Sequence, residues 1–154
     1  MVASAGWPHF TQAKYGNIIN FFESIDHGRI LNMEMKLELI SVPVTDVDRA
    51  KSFYVKAGFN ADHDQRVNEN LRFVQLTPPG SACSICIGEG LTKMKPGSID
   101  LMLLVVKSAE EARKEMVGRG IEVSEIDEQP WGRFVYFSDP DGNKWSLQEL
   151  PQRG

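Results

Sequence analysis

The feature that most constrains the fold is a pattern that occurs twice along the chain. A shift of 62 residues places identical residues on one another. The seven matches are Leu39 on Leu101, Val44 on Val106, Ala50 on Ala112, Gly58 on Gly120, Pro78 on Pro140, Gly80 on Gly142 and Ser84 on Ser146. This period is too long for a solenoid unit and favours two copies of one small module. We therefore expect modules at 36–90 and 98–150 within one domain that spans 34–151.

The first module is predicted to have the element order βαβββ. After Asp46, apolar residues recur with the 3.6-residue period of an α-helix. Asp46 is placed to cap the start of this helix, and Gly58 is placed to end it. Pro78 and Gly80 are typical of a turn between two strands. Strands are expected at 37–44, 60–66, 71–77 and 82–88.

The second module repeats that order. Ser108 and Glu111 form the sequence pattern of a capping box, and Gly118 and Gly120 mark the end of the helix. Strands are expected at 99–106 and 121–126, and 134–150 is read as a β-hairpin around the turn at 139–142. Each module then has a sheet with one face covered by its helix and one bare face. The expected class is α+β: two βαβββ modules forming a curved mixed sheet around a cleft, with the helices on the outer face.

Composition limits the possible partners. A chain of 154 residues with 42% hydrophobic content can bury one core. The net charge of −4 and the pI near 5.4 argue against nucleic acid or an anionic membrane as partner. No apolar run approaches the roughly 20 residues that a membrane helix requires. We expect a cytoplasmic protein.

Cys83 and Cys86 lie in the sequence CSIC, which has the CxxC spacing of zinc and redox sites. No second pair completes a metal site. Residues three apart in a strand point to opposite faces, so a disulfide between these two cysteines is not expected. A structural role in a reducing compartment is the favoured interpretation.

Residues 1–33 differ from the rest of the chain. They lack the order of charged, apolar and small residues that marks a signal peptide. Ile18, Ile19, Phe22 and Ile25 recur at the spacing of a short amphipathic helix. We expect this segment to be an extension outside the domain.

Two motifs carry a family resemblance. VPVTDVDRAKSFYVKAGF at 42–59 and FSDPDGNKWSLQE at 137–149 resemble the glyoxalase, bleomycin-resistance and extradiol-dioxygenase superfamily, also called the vicinal oxygen chelate fold. The resemblance covers 36–150 and implies a glyoxalase-like fold and a homodimer. In that family, a divalent metal is held in the cleft by His or Gln on the first strand of each module and by Glu on the last.

The matching positions in this chain are Leu39 and Leu101 on the first strands and Ser84 and Ser146 on the last. Leucine cannot coordinate a metal, and a neutral serine hydroxyl is a poor ligand without imidazole or carboxylate beside it. We therefore expect no metal and no cofactor.

Alternation along the strands predicts which side chains line the cleft. A lining of aliphatic groups with a few neutral polar groups suits a small, largely apolar organic molecule. The resemblance implies the same kind of ligand, because the family includes metal-free members that bind drugs. The predicted ligand-binding residues are Leu39, Ser41, Ser84, Cys86, Leu101, Leu103, Trp131, Phe134, Tyr136, Ser146 and Gln148.

An enzyme is the competing hypothesis. It would be a lactoylglutathione-lyase-like isomerase or a dioxygenase-type enzyme whose metal has non-standard ligands, or a metal-free isomerase. No catalytic residue can be assigned from the sequence. Cys86 could act as a nucleophile, but no histidine is predicted beside it, which disfavours that role. His63 is interpreted as a surface histidine.

Overall fold

A computed structural model of the chain describes residues 33–151. The part from Lys36 onward is one compact unit. The expected amphipathic helix containing Ile18, Ile19, Phe22 and Ile25 lies outside the described residues. None of the described helices is both long and apolar enough to cross a membrane.

The first module forms a four-stranded sheet with one helix. Its elements are β1 (Leu39–Ser41), α1 (Val47–Lys56), β2 (Asn60–Asn68), β3 (Leu71–Thr77) and β4 (Ser84–Glu89). The strand order is β1-β4-β3-β2, with β1 parallel to β4 and the other pairs antiparallel. The predicted cap is present, because Asp46 accepts a hydrogen bond from the Arg49 backbone N–H at 2.9 Å.

The second module repeats this architecture. Its elements are β5 (Met102–Val106), α2 (Ala109–Gly118), β6 (Asp127–Gln129), β7 (Gly132–Ser138) and β8 (Lys144–Glu149). The strand order β5-β8-β7-β6 matches that of the first sheet. Ser108 caps α2 by accepting from the Glu111 N–H at 3.2 Å. The predicted α+β class with two βαβββ modules is confirmed.

The predicted strand at 121–126 is wrong; the strand of this region is β6, which begins at Asp127. The reason lies at Ser124. Its N–H donates to the Tyr136 carbonyl at 2.9 Å, but the Tyr136 N–H donates to the Ser124 side-chain Oγ at 2.9 Å. Because a side chain takes the place of a backbone acceptor, the regular ladder does not extend through this segment.

The two modules also differ in the pairing of their first strands. Leu39 lies opposite Ser84 in the first sheet, whereas Leu103 lies opposite Ser146 in the second. The repeat predicts Leu101 at that place, so the register of β5 is displaced by two residues. A displacement of two leaves every side chain on its predicted face.

One hydrophobic core joins the modules through α1. Tyr54 packs edge-on against Trp145 with ring centroids 5.7 Å apart, and Phe53 approaches Phe137 at 6.3 Å. Phe137 and Trp145 belong to the second sheet and stack on each other at 6.0 Å. The helix of the first module therefore buries its aromatic side chains against the core side of the second sheet.

A buried polar network fixes the same junction. The Tyr54 hydroxyl donates to Asp139 Oδ2 at 2.7 Å and accepts from Trp145 Nε1 at 3.1 Å. Asn143 Nδ2 donates to Asp139 Oδ2 at 2.7 Å and to the Pro43 carbonyl at 2.9 Å. Burial, followed by the nearby Asp139 carboxylate, raises the pKa of Tyr54 far above its usual value, so the hydroxyl remains a donor.

We expect Tyr54→Phe to lower the free energy of unfolding by about 1–3 kcal/mol, because Asp139 and the Trp145 N–H then lose a buried partner. Tyr136→Phe is the matched control, since its hydroxyl bonds to Asp127 in an exposed setting, and it is expected to cost about 0.5 kcal/mol or less. Urea denaturation of the three proteins measures both values. Equal costs for the two variants would show that the network does not hold the modules together.

Candidate functional site

The candidate site begins with the face of the second sheet that points away from the core. Cross-strand partners share a face, and here they form two rows: Leu103–Ser146–Tyr136 and Val105–Gln148–Phe134. Leu101 precedes β5 in the same alternation. We call these side chains the second-sheet face: Leu101, Leu103, Val105, Phe134, Tyr136, Ser146 and Gln148.

Much of this face is open to solvent. Leu101 is 65% exposed, Leu103 46%, Val105 60% and Tyr136 41%. Single exposed apolar side chains are ordinary, but neighbours on one sheet face form a contiguous patch that suits binding. Leu101 and Tyr136 also line one open depression of about 760 Å³, together with Ser124, Ser138 and Lys144.

Two aromatic rings lie next to each other on this face. The Phe134 and Tyr136 rings are nearly parallel, with an interplanar angle of 5° and centroids 6.1 Å apart. Phe134 is buried, and the Tyr136 hydroxyl donates to Asp127 Oδ2 at 2.8 Å. Burial and this hydrogen bond both raise the pKa of Tyr136 above its usual value. The phenol is therefore neutral and held in one orientation.

Trp131 lies in the tight turn between β6 and β7, with its side chain 61% exposed. Gln148 Nε2 donates to the Trp131 carbonyl at 3.0 Å, which ties the turn to the second-sheet face. Gly132 adopts φ +144°, and a Cβ there would lie 2.5 Å from the Glu149 carbonyl oxygen. Only glycine allows β8 to approach the turn this closely. An exposed indole thus stands at the edge of the face.

The corresponding side chains of the first module lie on a different sheet. Leu39 is opposite Ser84, and Ser41 is opposite Cys86, which is opposite Gln75. His63 is opposite Gln75 in turn and is exposed. We call these residues the first-sheet face: Leu39, Ser41, His63, Gln75, Thr77, Ser84 and Cys86. Ser84 and Cys86 are buried, and Leu39 and Ser41 are half-buried.

The polar groups of the first-sheet face satisfy one another in part. Gln75 Nε2 donates to Ser84 Oγ at 3.0 Å, and the Thr77 and Ser84 hydroxyls share a hydrogen bond of 2.7 Å. Thr77 also bonds to Asp62. The sequence reasoning did not name Gln75, Thr77 or, on the second sheet, Val105. Strict alternation from Cys86 and Leu103 would have pointed to these positions once the strand pairing was known.

Cys83 and Cys86 are both free thiols, so the expected absence of a disulfide between them is confirmed. Burial raises the pKa of the Cys86 thiol, and the neighbouring Ser41 hydroxyl offsets this only in part. Burial also raises the pKa of Cys83. A raised thiol pKa opposes formation of the thiolate nucleophile, so neither cysteine has the environment of a catalytic cysteine.

The residues at the family's metal positions do not fit a metal ion. These positions hold two leucines and two serines, which offer no imidazole or carboxylate. The serines Ser84 and Ser146 are buried, Leu39 is half-buried, and Leu101 is exposed to solvent. Glu149 points away from these positions, since its Oε2 accepts from the Ala109 N–H at the start of α2 at 2.8 Å. Among residues 33–151, no three His, Cys, Asp or Glu side chains form a group that could hold a metal ion.

Residues 36–147 match the family model described as Glyoxalase/Bleomycin resistance protein/Dioxygenase superfamily. The chain belongs to this superfamily. The match covers most of the chain and includes both modules, so the resemblance of its two motifs is confirmed.

Several known proteins resemble this chain. TnmS3, described as an antibiotic binding protein from Streptomyces sp. CB03234, is 34% identical with a TM-score of 0.69, covering 77% of this chain and 98% of its own. A glyoxalase/bleomycin resistance protein from the same organism is 36% identical with a TM-score of 0.64, covering 73% of this chain and 99% of its own. The uncharacterized protein YetH of Bacillus subtilis (strain 168) is 28% identical over 122 residues, which is 76% of this chain and 100% of YetH.

We expect Cys86 to react with iodoacetamide at least about tenfold more slowly in the native protein at pH 7.5 than in urea, because its thiol is buried and its pKa is raised. Half-buried Cys83 is the internal comparison, and a Cys83→Ser variant isolates the signal of Cys86. Both cysteines lie in the tryptic peptide 73–93, so fragmentation of this peptide in the mass spectrometer measures the two rates separately. Rapid modification of Cys86 in the native protein would show that its thiol is accessible and reactive, and would support a nucleophilic role.

Proposed function

We propose that this protein binds a small, largely apolar organic molecule on the second-sheet face without a metal, and that it sequesters the molecule as bleomycin-resistance-like proteins do. The observation that carries the proposal is the open run of Leu101, Leu103, Val105 and Tyr136 beside the buried ring of Phe134. Removing such surface from water is favourable in proportion to its area. A face with no paired carboxylates or imidazoles offers contact rather than acid–base chemistry.

The comparison with TnmS3 supports this proposal. TnmS3 is described as antibiotic binding, and at 34% identity it shares with this chain the sheet on which the face is built. Flat aromatic molecules suit the nearly parallel rings of Phe134 and Tyr136, because offset stacking adds to the gain from apolar burial. Exposed Trp131 is placed to close over such a molecule from the edge of the face.

The proposal includes a homodimer. The first-sheet and second-sheet faces belong to separate sheets, while the modules join through the core on the opposite side. Among the strands of residues 33–151, β1 and β5 are each terminal in their sheet and hydrogen-bond to a neighbour on one side only. A second copy related by a two-fold axis can place its first-sheet face opposite the second-sheet face, which creates two equal clefts. Leu39, Ser41, Ser84 and Cys86 then form the second wall.

For binding, Leu103→Arg is expected to weaken the affinity for fluorene at least tenfold, because a guanidinium replaces apolar contact on the second-sheet face. Val55→Arg is the matched control: Val55, on α1, is 46% exposed like Leu103, and its replacement should leave affinity unchanged. Equilibrium dialysis measures the affinities, and elemental analysis of the dialysed protein measures Zn, Ni, Mn and Fe. Binding that requires a stoichiometric metal would contradict the proposal and favour the enzyme hypothesis.

For the dimer, light scattering coupled to size-exclusion chromatography should give twice the mass of the 17.3 kDa chain. Val105→Arg is expected to shift the protein toward monomer, since this side chain is 60% exposed in the single chain and would face the second copy. Val117→Arg, on α2, is the control, with an exposure of 51% outside the proposed interface. If the wild-type protein is a monomer and still binds fluorene, the proposed clefts between two copies of the chain are wrong.

A further inference from the structure

Ser146 has a buried hydroxyl without a partner. Its side chain belongs to a residue only 1% exposed, and within the described part of the chain Ser146 Oγ makes no hydrogen bond. A buried polar group that lacks a partner opposes folding, because it has lost its bonds to water and gained none.

The equivalent serine of the first module has a different environment. Ser84 is 4% exposed, but its hydroxyl accepts from Gln75 at 3.0 Å and bonds to Thr77 at 2.7 Å. The neighbours of Ser146 in the second sheet are Leu103 and Tyr136, and the Tyr136 hydroxyl is engaged with Asp127. The repeat therefore contains one satisfied and one unsatisfied hydroxyl at the same place in the fold.

The unsatisfied hydroxyl lies between two partly exposed side chains of the candidate site. Leu103 and Tyr136 flank Ser146 on the same face and are 46% and 41% exposed. Exposed side chains change rotamer on the picosecond-to-nanosecond timescale, so a small movement of Leu103 gives a ligand access to Ser146. The ring of Tyr136 and that of Phe134 would hold an aromatic ligand beside this point.

We propose that Ser146 is a specificity-determining residue that forms a hydrogen bond with an oxygen substituent on the ligand. This inference rests on the proposed function and narrows it. The ligand class becomes flat aromatic molecules that present a carbonyl or hydroxyl group at the edge of the ring system. The aromatic part contacts Phe134 and Tyr136, and the oxygen provides the partner that the chain itself does not supply.

The first test measures stability in the absence of ligand. Ser146→Ala is expected to leave the midpoint of urea denaturation unchanged or to raise it, because the substitution removes a hydroxyl that has no partner. Ser84→Ala should lower the midpoint, because Gln75 and Thr77 each lose a bond. If Ser146→Ala lowers the midpoint as much as Ser84→Ala does, the Ser146 hydroxyl has a partner within the protein and the inference is wrong.

The second test compares 9-fluorenone with fluorene, two flat tricyclic molecules that differ by one carbonyl group. Wild-type protein is expected to bind 9-fluorenone about tenfold more tightly than fluorene, which is the range of one hydrogen bond made to a buried, otherwise unpaired group. Ser146→Ala should reduce this preference to about twofold or less and leave fluorene affinity unchanged. Ser52→Ala, at an exposed position of α1 outside both faces, should keep the preference. Equilibrium dialysis measures all six affinities.

The outcomes separate this inference from the proposed function. If the wild-type protein binds both molecules equally, or if Ser146→Ala keeps the preference, the role of Ser146 is overturned and the binding function stands. If Ser146→Ala loses affinity equally for both molecules, Ser146 has a packing role, and its proposed role in specificity is also overturned. If neither molecule binds the wild-type protein, the proposed function fails and the inference fails with it.

Discussion

The arrangement of the molecule depends on the buried contact of Tyr54 with Asp139 and Trp145. This contact joins the helix of the first module to the final hairpin of the second, and Asn143 extends it to the Pro43 carbonyl. A tyrosine hydroxyl placed between a carboxylate and an indole N–H satisfies three buried polar groups at once. Because the modules meet through the core sides of their sheets, the opposite face of each sheet takes no part in joining them. That face can contact a ligand or another protein. The candidate site is a consequence of how the two halves are joined.

The two remaining faces differ in chemistry although their sequences derive from one repeated pattern. On the first-sheet face, Gln75, Thr77 and Ser84 bond to one another, whereas the buried Ser41 hydroxyl has no partner in the described chain. On the second-sheet face, aliphatic and aromatic groups surround Ser146, whose hydroxyl has no partner in the described chain. In the proposed dimer, where the two faces become opposite walls of a cleft, this difference would suit a ligand with two different sides. That asymmetry favours recognition of an oriented molecule over the capture of any apolar one.

Sequence reasoning reached the βαβββ repeat and the face of each residue, because alternation in a strand depends only on parity. It placed Phe134 and Tyr136 on the side opposite Trp145, as the structure does. It could not give the register of β5, since a displacement of two residues preserves parity while exchanging Leu101 for Leu103 beside Ser146. It also placed a strand at 121–126, where the side-chain bond of Ser124 interrupts the ladder. The spacing of residues in the sequence also could not show that the Ser146 hydroxyl lacks a hydrogen-bond partner. That property depends on which side chains surround it in the fold.

The magnitudes explain why one open face is not sufficient for tight binding. An aromatic group the size of a large side chain buries about 150–250 Å² when fully enclosed. At about 25 cal/mol per Å², this contributes about 4–6 kcal/mol. Association costs about 4–15 kcal/mol in lost translational and rotational freedom, and a flat molecule resting on one face buries only about half its surface. Binding on the second-sheet face alone is therefore expected to be weak. In the proposed dimer, a second wall from another copy would cover the other side of the molecule, and the proposed bond to Ser146 would then determine which of several flat molecules is retained.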